Sequence, residues 1–449
     1  MTRREFTAAL ALPSLTRVPE AGRRPALLIA PEDPFSGLPM LKARYVAGFK
    51  PSDDMPGWAL SWQLTGDPTF ADRALSQMRT THPPTGGRPS RTWRDYVEWS
   101  LAFDWLYTYS GFDEDLKNRI AQDLFSAAAG MLRSPDMADP TRVYYHNYNV
   151  RFLAFAAFPL AALQGHADLD QRCAPFRRQA EQALANVLDT ASFVTPKGSY
   201  HESLDYMRIT WAALVLLAEL YRTTGGFDPA EQCSVFPNMG ETYLYKLLPD
   251  GTPSRENDQE FPLLDSRDTA VLGYAVHRFK DPYAAWLLRK SGFVGQQWVV
   301  PVLEFLWNDP QVAPRDPSGP TEAELPHQRL FPGVGHLVMR DGWRPDSTWI
   351  EFDCGGYFAK HQHLHQNQFT IYHKGYLAID SGADYTDIES PHYLNYYRRT
   401  VAHNTMLVYE PGEKFFWGDN ILAAANDGGQ RMDSVRYWNT VRNREDWYR

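Results

Sequence analysis

The stretch DPQVAPRDPSGPTEAELPHQRLFP, residues 309–332, holds prolines at 310, 314, 317, 320, 326 and 332. Proline fixes φ and lacks a backbone donor, so no helix runs through this segment, and it reads as a linker. Upstream of it, apolar residues recur with a helical period. Trp93, Val97, Leu101 and Trp105 fall at every fourth position, and Ile209, Ala213, Leu216, Leu217 and Leu220 form another stripe. Further helical runs are expected near 114–133, 148–164, 175–190, 268–278 and 299–307, broken by Gly66-Asp67-Pro68 and Pro249-Asp250-Gly251. Downstream the apolar period becomes two. Residues 335–339, 348–353, 368–373, 376–380 and 404–409 read as strands, with turns at Asp341-Gly342 and His373-Lys374-Gly375.

The expected fold is therefore multidomain α+β. Residues 28–315 form paired helices stacked into an (α/α) toroid, and residues 325–449 form an antiparallel β-sandwich that reads as truncated. Residues 1–27 are an N-terminal arm. In it, Arg3-Arg4 followed by Ala8 to Leu12 has the form of a twin-arginine export signal, which implies a periplasmic or secreted protein. The longest apolar stretch, Ile209 to Ala218, is half the roughly 20 residues of a membrane span.

Charge narrows the partners. With 45 basic and 54 acidic residues the chain carries −9, which argues against a nucleic-acid or membrane-surface binder. Three cysteines, at 173, 233 and 354, are too few and scattered for a disulfide framework. The 14 tryptophans include Trp58, Trp62, Trp93 and Trp99, which suit either sugar stacking or helix packing.

Histidine carries the sharpest signal. Six of the thirteen lie between His361 and His403, and His361, His363 and His365 alternate. In an extended strand such residues share one face, where imidazoles serve as metal ligands or proton acceptors. Asp380, closing an apolar run, adds a carboxylate, so His363, Asp380 and His403 make a two-His, one-carboxylate set suited to Zn²⁺. Two polar segments stand out among the helices, Tyr144 to Arg151 and Lys197 to Tyr206. A third, Arg255-Glu256-Asn257-Asp258, reads as a salt-bridge network.

The pattern H-Q-H from His361, then F-x-I-Y-x-K-G-x-L-A-I-D-S-G from Phe369, then Y-Y-x-R-T-x-A-H-N-T from Tyr396 resembles the heparinase II/III-like family of polysaccharide lyases, heparinase II in particular. His146-Asn147 and the spacing of Gly198, Glu202 and Tyr206 agree more loosely. The resemblance implies the same toroid and sandwich, and β-elimination on a uronic-acid polysaccharide such as heparin or heparan sulfate. It implies that His361 and Tyr206 are catalytic, with Tyr200 as the alternative tyrosine. His146 or Asn147 would neutralise the substrate carboxylate. Asn149, Arg151, Tyr200, Glu202 and Arg398 would bind substrate, and His363, Asp380 and His403 would hold a mainly structural zinc. A homodimer is compatible with it. The family often has an acidic residue where this chain has His365. Other classes are an alginate-type lyase, an (α/α) glycoside hydrolase using Glu202, Asp205 or Asp258, and a noncatalytic glycan binder.

Overall fold

The computed structural model describes residues 24–30, 33–84, 94–134, 137, 144–225, 227–259, 264–290, 301–319, 325–356, 361–383, 392–407, 414–417 and 420–424. The export-signal reading, Trp93, Arg142, Lys360 and the C-terminal 25 residues lie outside them. Helices come first: α1 (Leu38–Val46), α2 (Met55–Thr65), α3 (Pro68–Thr80), α4 (Arg94–Leu106), α5 (Glu114–Leu132), α6 (Asn147–Ala162) and α7 (Ala167–Val194). They continue with α8 (Leu204–Thr224), α9 (Pro229–Gln232), α10 (Met239–Lys246), α11 (Ser266–Phe279), α12 (Pro282–Lys290) and α13 (Val302–Trp307).

Sequence sets where these helices start. Asp54 caps α2 by accepting from the Gly57 amide at 3.0 Å, and Asp113 caps α5 through Leu116 at 2.9 Å. Asp265 and Asp268 form a reciprocal cap on α11. Helix α6 is apolar on every side, with Val150, Phe152, Phe155 and Phe158 fully buried, and such a helix belongs inside. It packs against α4, α5, α7 and α8, while α8 also packs on α11.

Strands β1 (Gln328–Phe331), β2 (His336–Arg340), β3 (Trp349–Asp353), β4 (Gln368–Tyr372) and β5 (Tyr376–Ala378) form one antiparallel sheet in sequence order. β6 (Lys414–Trp417) and β7 (Asn420–Ala424) form a separate two-stranded ladder. Four of the five expected strands thus fall in place. The fifth does not: among its described residues, 404–407, there is no strand. Instead Asn404 donates its side-chain amide to the Phe369 and Ile379 carbonyls, both at 2.9 Å, so a side chain does the pairing a strand would have done.

The sheet has two unlike faces. Period-two alternation buries His336, Glu351, Asp353, Gln368 and Thr370 on the face toward the helices. The register sets His336 opposite Asp353, and Asp353 opposite Gln368. Apolar packing surrounds this polar patch: Val194, Leu244, Tyr245, Phe331, Val338, Trp343, Trp349 and Tyr372 share one core, and Trp349 donates to the Tyr245 carbonyl at 2.9 Å. The opposite face exposes Leu330, Phe369 and Leu377.

Candidate active site and candidate metal centre

Two loops and one helix start bring the helical residues together. His146 caps α6, its Nδ1 accepting from the Tyr148 amide at 3.1 Å. That leaves the hydrogen on Nε2, which faces Glu202 Oε1 at 3.1 Å. Asn147 donates to Glu202 Oε2 at 3.2 Å. Glu202 sits in the loop before α8, where Gly198, Ser199 and Ser203 have φ of +91°, +63° and +107°. Two of these are not glycine, and strain of this kind is held where the surroundings over-determine it. At Gly198 a Cβ would stand 2.2 Å from Thr242 Oγ1, so the loop needs glycine there for space as well as for φ. Burial pushes Glu202 up from the usual carboxylate range, against the hydrogen bonds from Asn147 and Tyr200.

Asp258 is the hub that joins this group to the strand region. Its Oδ2 lies 2.6 Å from His361 Nδ1, and its Oδ1 lies 2.8 Å from His363 Nε2. The Tyr393 hydroxyl sits 2.8 Å from both carboxylate oxygens. Burial alone would raise Asp258, but the hydrogen bonds and positive character of His361 and His363 outweigh it and hold the carboxyl well below its ordinary value. An ionised Asp258 only accepts, so His361 presents Nδ1–H to it and keeps Nε2 for other chemistry. The His361 ring is stacked on Tyr206 with centroids 3.8 Å apart and planes at 17°. His146, Glu202 and His361 bring one nitrogen or oxygen each within 4.8 Å of one another. The sequence-predicted catalytic residues Tyr206, His361, His146 and Asn147 therefore meet in one place.

The predicted substrate-binding residues divide. Arg151 belongs to the site electrostatically: burial lowers its guanidinium, and Tyr148, Tyr206 and Glu202 raise it again. Tyr200 is buried, with its hydroxyl 3.2 Å from Glu202 Oε2 and 3.0 Å from the Tyr145 carbonyl, which is a supporting position. Asn149 is buried in the first turn of α6. Arg398 is buried too and braces the histidine segment, its carbonyl accepting from Leu364 at 2.9 Å and its guanidinium reaching the Gln362 carbonyl at 3.4 Å. Trp99 is core, and Trp58 packs under Arg73 at 4.0 Å.

Two of the three expected ligand residues, Asp380 and His403, share a cluster with His365. Residues 361–365 are not a strand, so their side chains do not share one face by alternation. His361 and His363 both turn to Asp258. His365, Asp380 and His403 are the residues whose ligand-type atoms all lie within 4.8 Å, and all three are buried. His363 lies beside this cluster, its ring centroid 5.4 Å from that of His403. His403 Nδ1 meets Asp380 Oδ1 at 2.7 Å, and the Gly382 amide reaches the same oxygen at 2.9 Å. His403 and His365 keep the Asp380 carboxyl well below the usual range despite its burial. His363 Nδ1, His365 Nδ1 and His403 Nε2 are buried with no hydrogen-bond partner. Orphaned imidazole nitrogens beside an ionised carboxylate fit a divalent cation.

Residues 323–448 match the family described as Heparinase II/III-like, C-terminal. This region is similar to that family. Solved structures similar to much of the chain include heparinase III, at 16% identity over 78% of this chain and 53% of that one, with a TM-score of 0.47. Another is heparan sulfate lyase HepC from Pedobacter heparinus, at 15% identity over 90% of this chain and 64% of that one, with a TM-score of 0.46. The chain spans about half to two thirds of the length of these proteins. No curated protein matches the chain.

The heparinase II/III-like region supplies His361, His363, His365, Asp380, Tyr393 and His403, whereas Tyr206, His146, Asn147, Glu202 and Asp258 precede it. Sequence reasoning placed Asp258 in a salt-bridge network and missed its contact with His361. Its neighbour Glu256 does belong to such a network. Lys246, at the end of α10, bonds Glu256 at 2.6 Å and also Glu351 of β3, with His336 at 3.4 Å. Burial and Glu351 push Glu256 up to about 8, against Lys246. Gln368 connects this group to the metal centre, donating to Asp353 at 2.9 Å and Asp380 at 3.2 Å.

Proposed function

We propose that the chain is a polysaccharide lyase that cleaves an anionic uronate polymer by β-elimination, built as a helical toroid followed by a β-sandwich. The stacked Tyr206–His361 pair carries this reading, because it joins a helical tyrosine to the histidine of the heparinase II/III-like motif. In the elimination the C5–H bond and the C4–O4 bond break, C4=C5 forms, and O4 leaves with a proton. Negative charge builds on the uronate carboxylate as the C5 proton departs. Asn147, which keeps a second amide hydrogen beyond the one on Glu202, His146 and the Arg151 guanidinium stabilise that charge. Tyr206 and His361 exchange the two protons, one taking and one giving, and the assignment follows the uronate epimer. Asp258 fixes which His361 nitrogen takes part.

A divalent ion, zinc by the nitrogen and oxygen donors, would be held by Asp380, His403 and neighbouring imidazoles. When bound it would brace the segment that carries His361. Arg3-Arg4 supports export, which puts the enzyme where such polymers lie. Among substrates a heparan-sulfate-like glycosaminoglycan ranks first on the family resemblance, and the −9 charge favours low sulfation. The test is product analysis on a panel of uronate polymers. Unsaturated uronate ends support the lyase. Saturated reducing ends would establish a hydrolase, and unchanged polymer a glycan binder.

A further inference from the structure

We propose that His365 is a protein ligand of the metal ion, and that with His363, Asp380 and His403 this chain encloses the ion entirely in side chains. The inference rests on the metal reading above and deepens it.

Three observations carry it. His365, Asp380 and His403 bring one ligand-type atom each within 4.8 Å of one another. His365 is 1% exposed, and its Nδ1 has no hydrogen-bond partner. A buried polar atom without a partner is costly, and a cation removes that cost. The ring centroids of His365 and His403 are 5.1 Å apart, and those of His363 and His365 are 6.3 Å apart, so the imidazoles crowd one small volume.

The groups around these rings point the same way. A metal-bound imidazole usually donates its other ring hydrogen to a carboxylate. His363 does this through Nε2 to Asp258, and its Nδ1 is the orphan. His403 Nδ1 faces Asp380, itself one of the four ligands, and its Nε2 is the orphan. Asp380 Oδ2 takes the Gln368 amide at 3.2 Å, which orients the carboxylate. Three imidazoles and one carboxylate satisfy a tetrahedral ion with no position left for water, and closed sites of that kind are structural. The ion would thus steady the loop beneath His361 rather than activate a nucleophile, and the donor set favours zinc over calcium or magnesium.

The test uses the full chain loaded with zinc or with cobalt(II). X-ray absorption on the zinc-loaded wild type should count three imidazoles and one oxygen ligand, and this needs no variant. The cobalt form should show the intense visible absorption of a four-coordinate site. His365→Ala and His365→Gln should weaken that absorption. They should also lower zinc affinity by more than the roughly 10–100-fold that loss of an outer-shell partner costs. Unchanged absorption and affinity in both variants would overturn the role of His365 while leaving a three-ligand site, and two imidazoles in the wild type would overturn the four-ligand enclosure. A wild-type protein that takes up neither metal would overturn the metal reading itself, and the two failures are thereby told apart.

Discussion

Glu256 and Asp258 stand two residues apart in one buried loop, and each faces groups from the strand region. Asp258 is ringed by donors: His361, His363 and the Tyr393 hydroxyl. Glu256 shares the single Lys246 with Glu351, and Asp353 stands nearby in the same buried group. Burial penalises the charge on both. Asp258 nevertheless ends well below the ordinary carboxylate range, whereas Glu256 rises to about 8. The ratio of donors to acceptors, not depth, decides which carboxylate keeps its charge. The carboxylate held low abuts the stacked His361–Tyr206 pair, and the one pushed up ties helices to sheet through Lys246.

The largest expected effect tests the reacting edge of the Asp258 side. Tyr206→Phe removes one hydroxyl, so turnover of a uronate polymer should fall by roughly 10²–10⁴ while the unfolding midpoint stays near wild type. Undiminished ultraviolet absorbance from unsaturated product would take Tyr206 out of the reaction.

Asp258→Asn strikes the hub itself. Removing the charge that three donors face should cost about 3–5 kcal/mol in denaturant unfolding, and turnover of the folded fraction should fall with it. Lys246→Met is the matched change on the other side. It leaves Glu256 and Glu351 without their shared cation, so stability should drop by about 3 kcal/mol. Turnover per folded molecule should be unchanged. Equal loss of turnover in both variants would mean that the two carboxylates belong to one system rather than two.

A pH-dependent effect follows from Glu256 alone. Its proton-release point moves from 4.5 in the unfolded chain to about 8 in the fold, so the folded state holds a proton that the unfolded state has given up. The stability this contributes is fully present below about pH 4.5 and is lost as pH rises through about 8. Glu256→Gln should flatten that decline in thermal melts recorded between those limits. An unchanged slope would assign the titration to Asp353, which burial also raises. Smallest of all, Tyr200→Phe should cost about 1 kcal/mol, the worth of one hydrogen bond, and should leave turnover far above that of Tyr206→Phe.

The sequence by itself determined the order of the architecture. The change of apolar period across residues 309–332 separates helices from strands, and β2, β3 and β4 begin within a residue of where alternation put them. These are local signals, carried by neighbours in the chain. It also singled out His361 from a dense motif, and Tyr206, with Tyr200 as the alternative, from a looser spacing. Tertiary structure alone decided how the buried polar residues pair. Asp258 and His361 are 103 positions apart, and no periodicity marks a contact across that separation. The sequence reading named His363 as a ligand and passed over His365, which clusters with Asp380 and His403. Alternation ranks them equally only in a strand, and residues 361–365 form none. Their side chains are aimed instead by Asp258, Asp380 and Arg398, groups that converge only once the loop before α11 and the turn after Tyr397 have packed against the sheet.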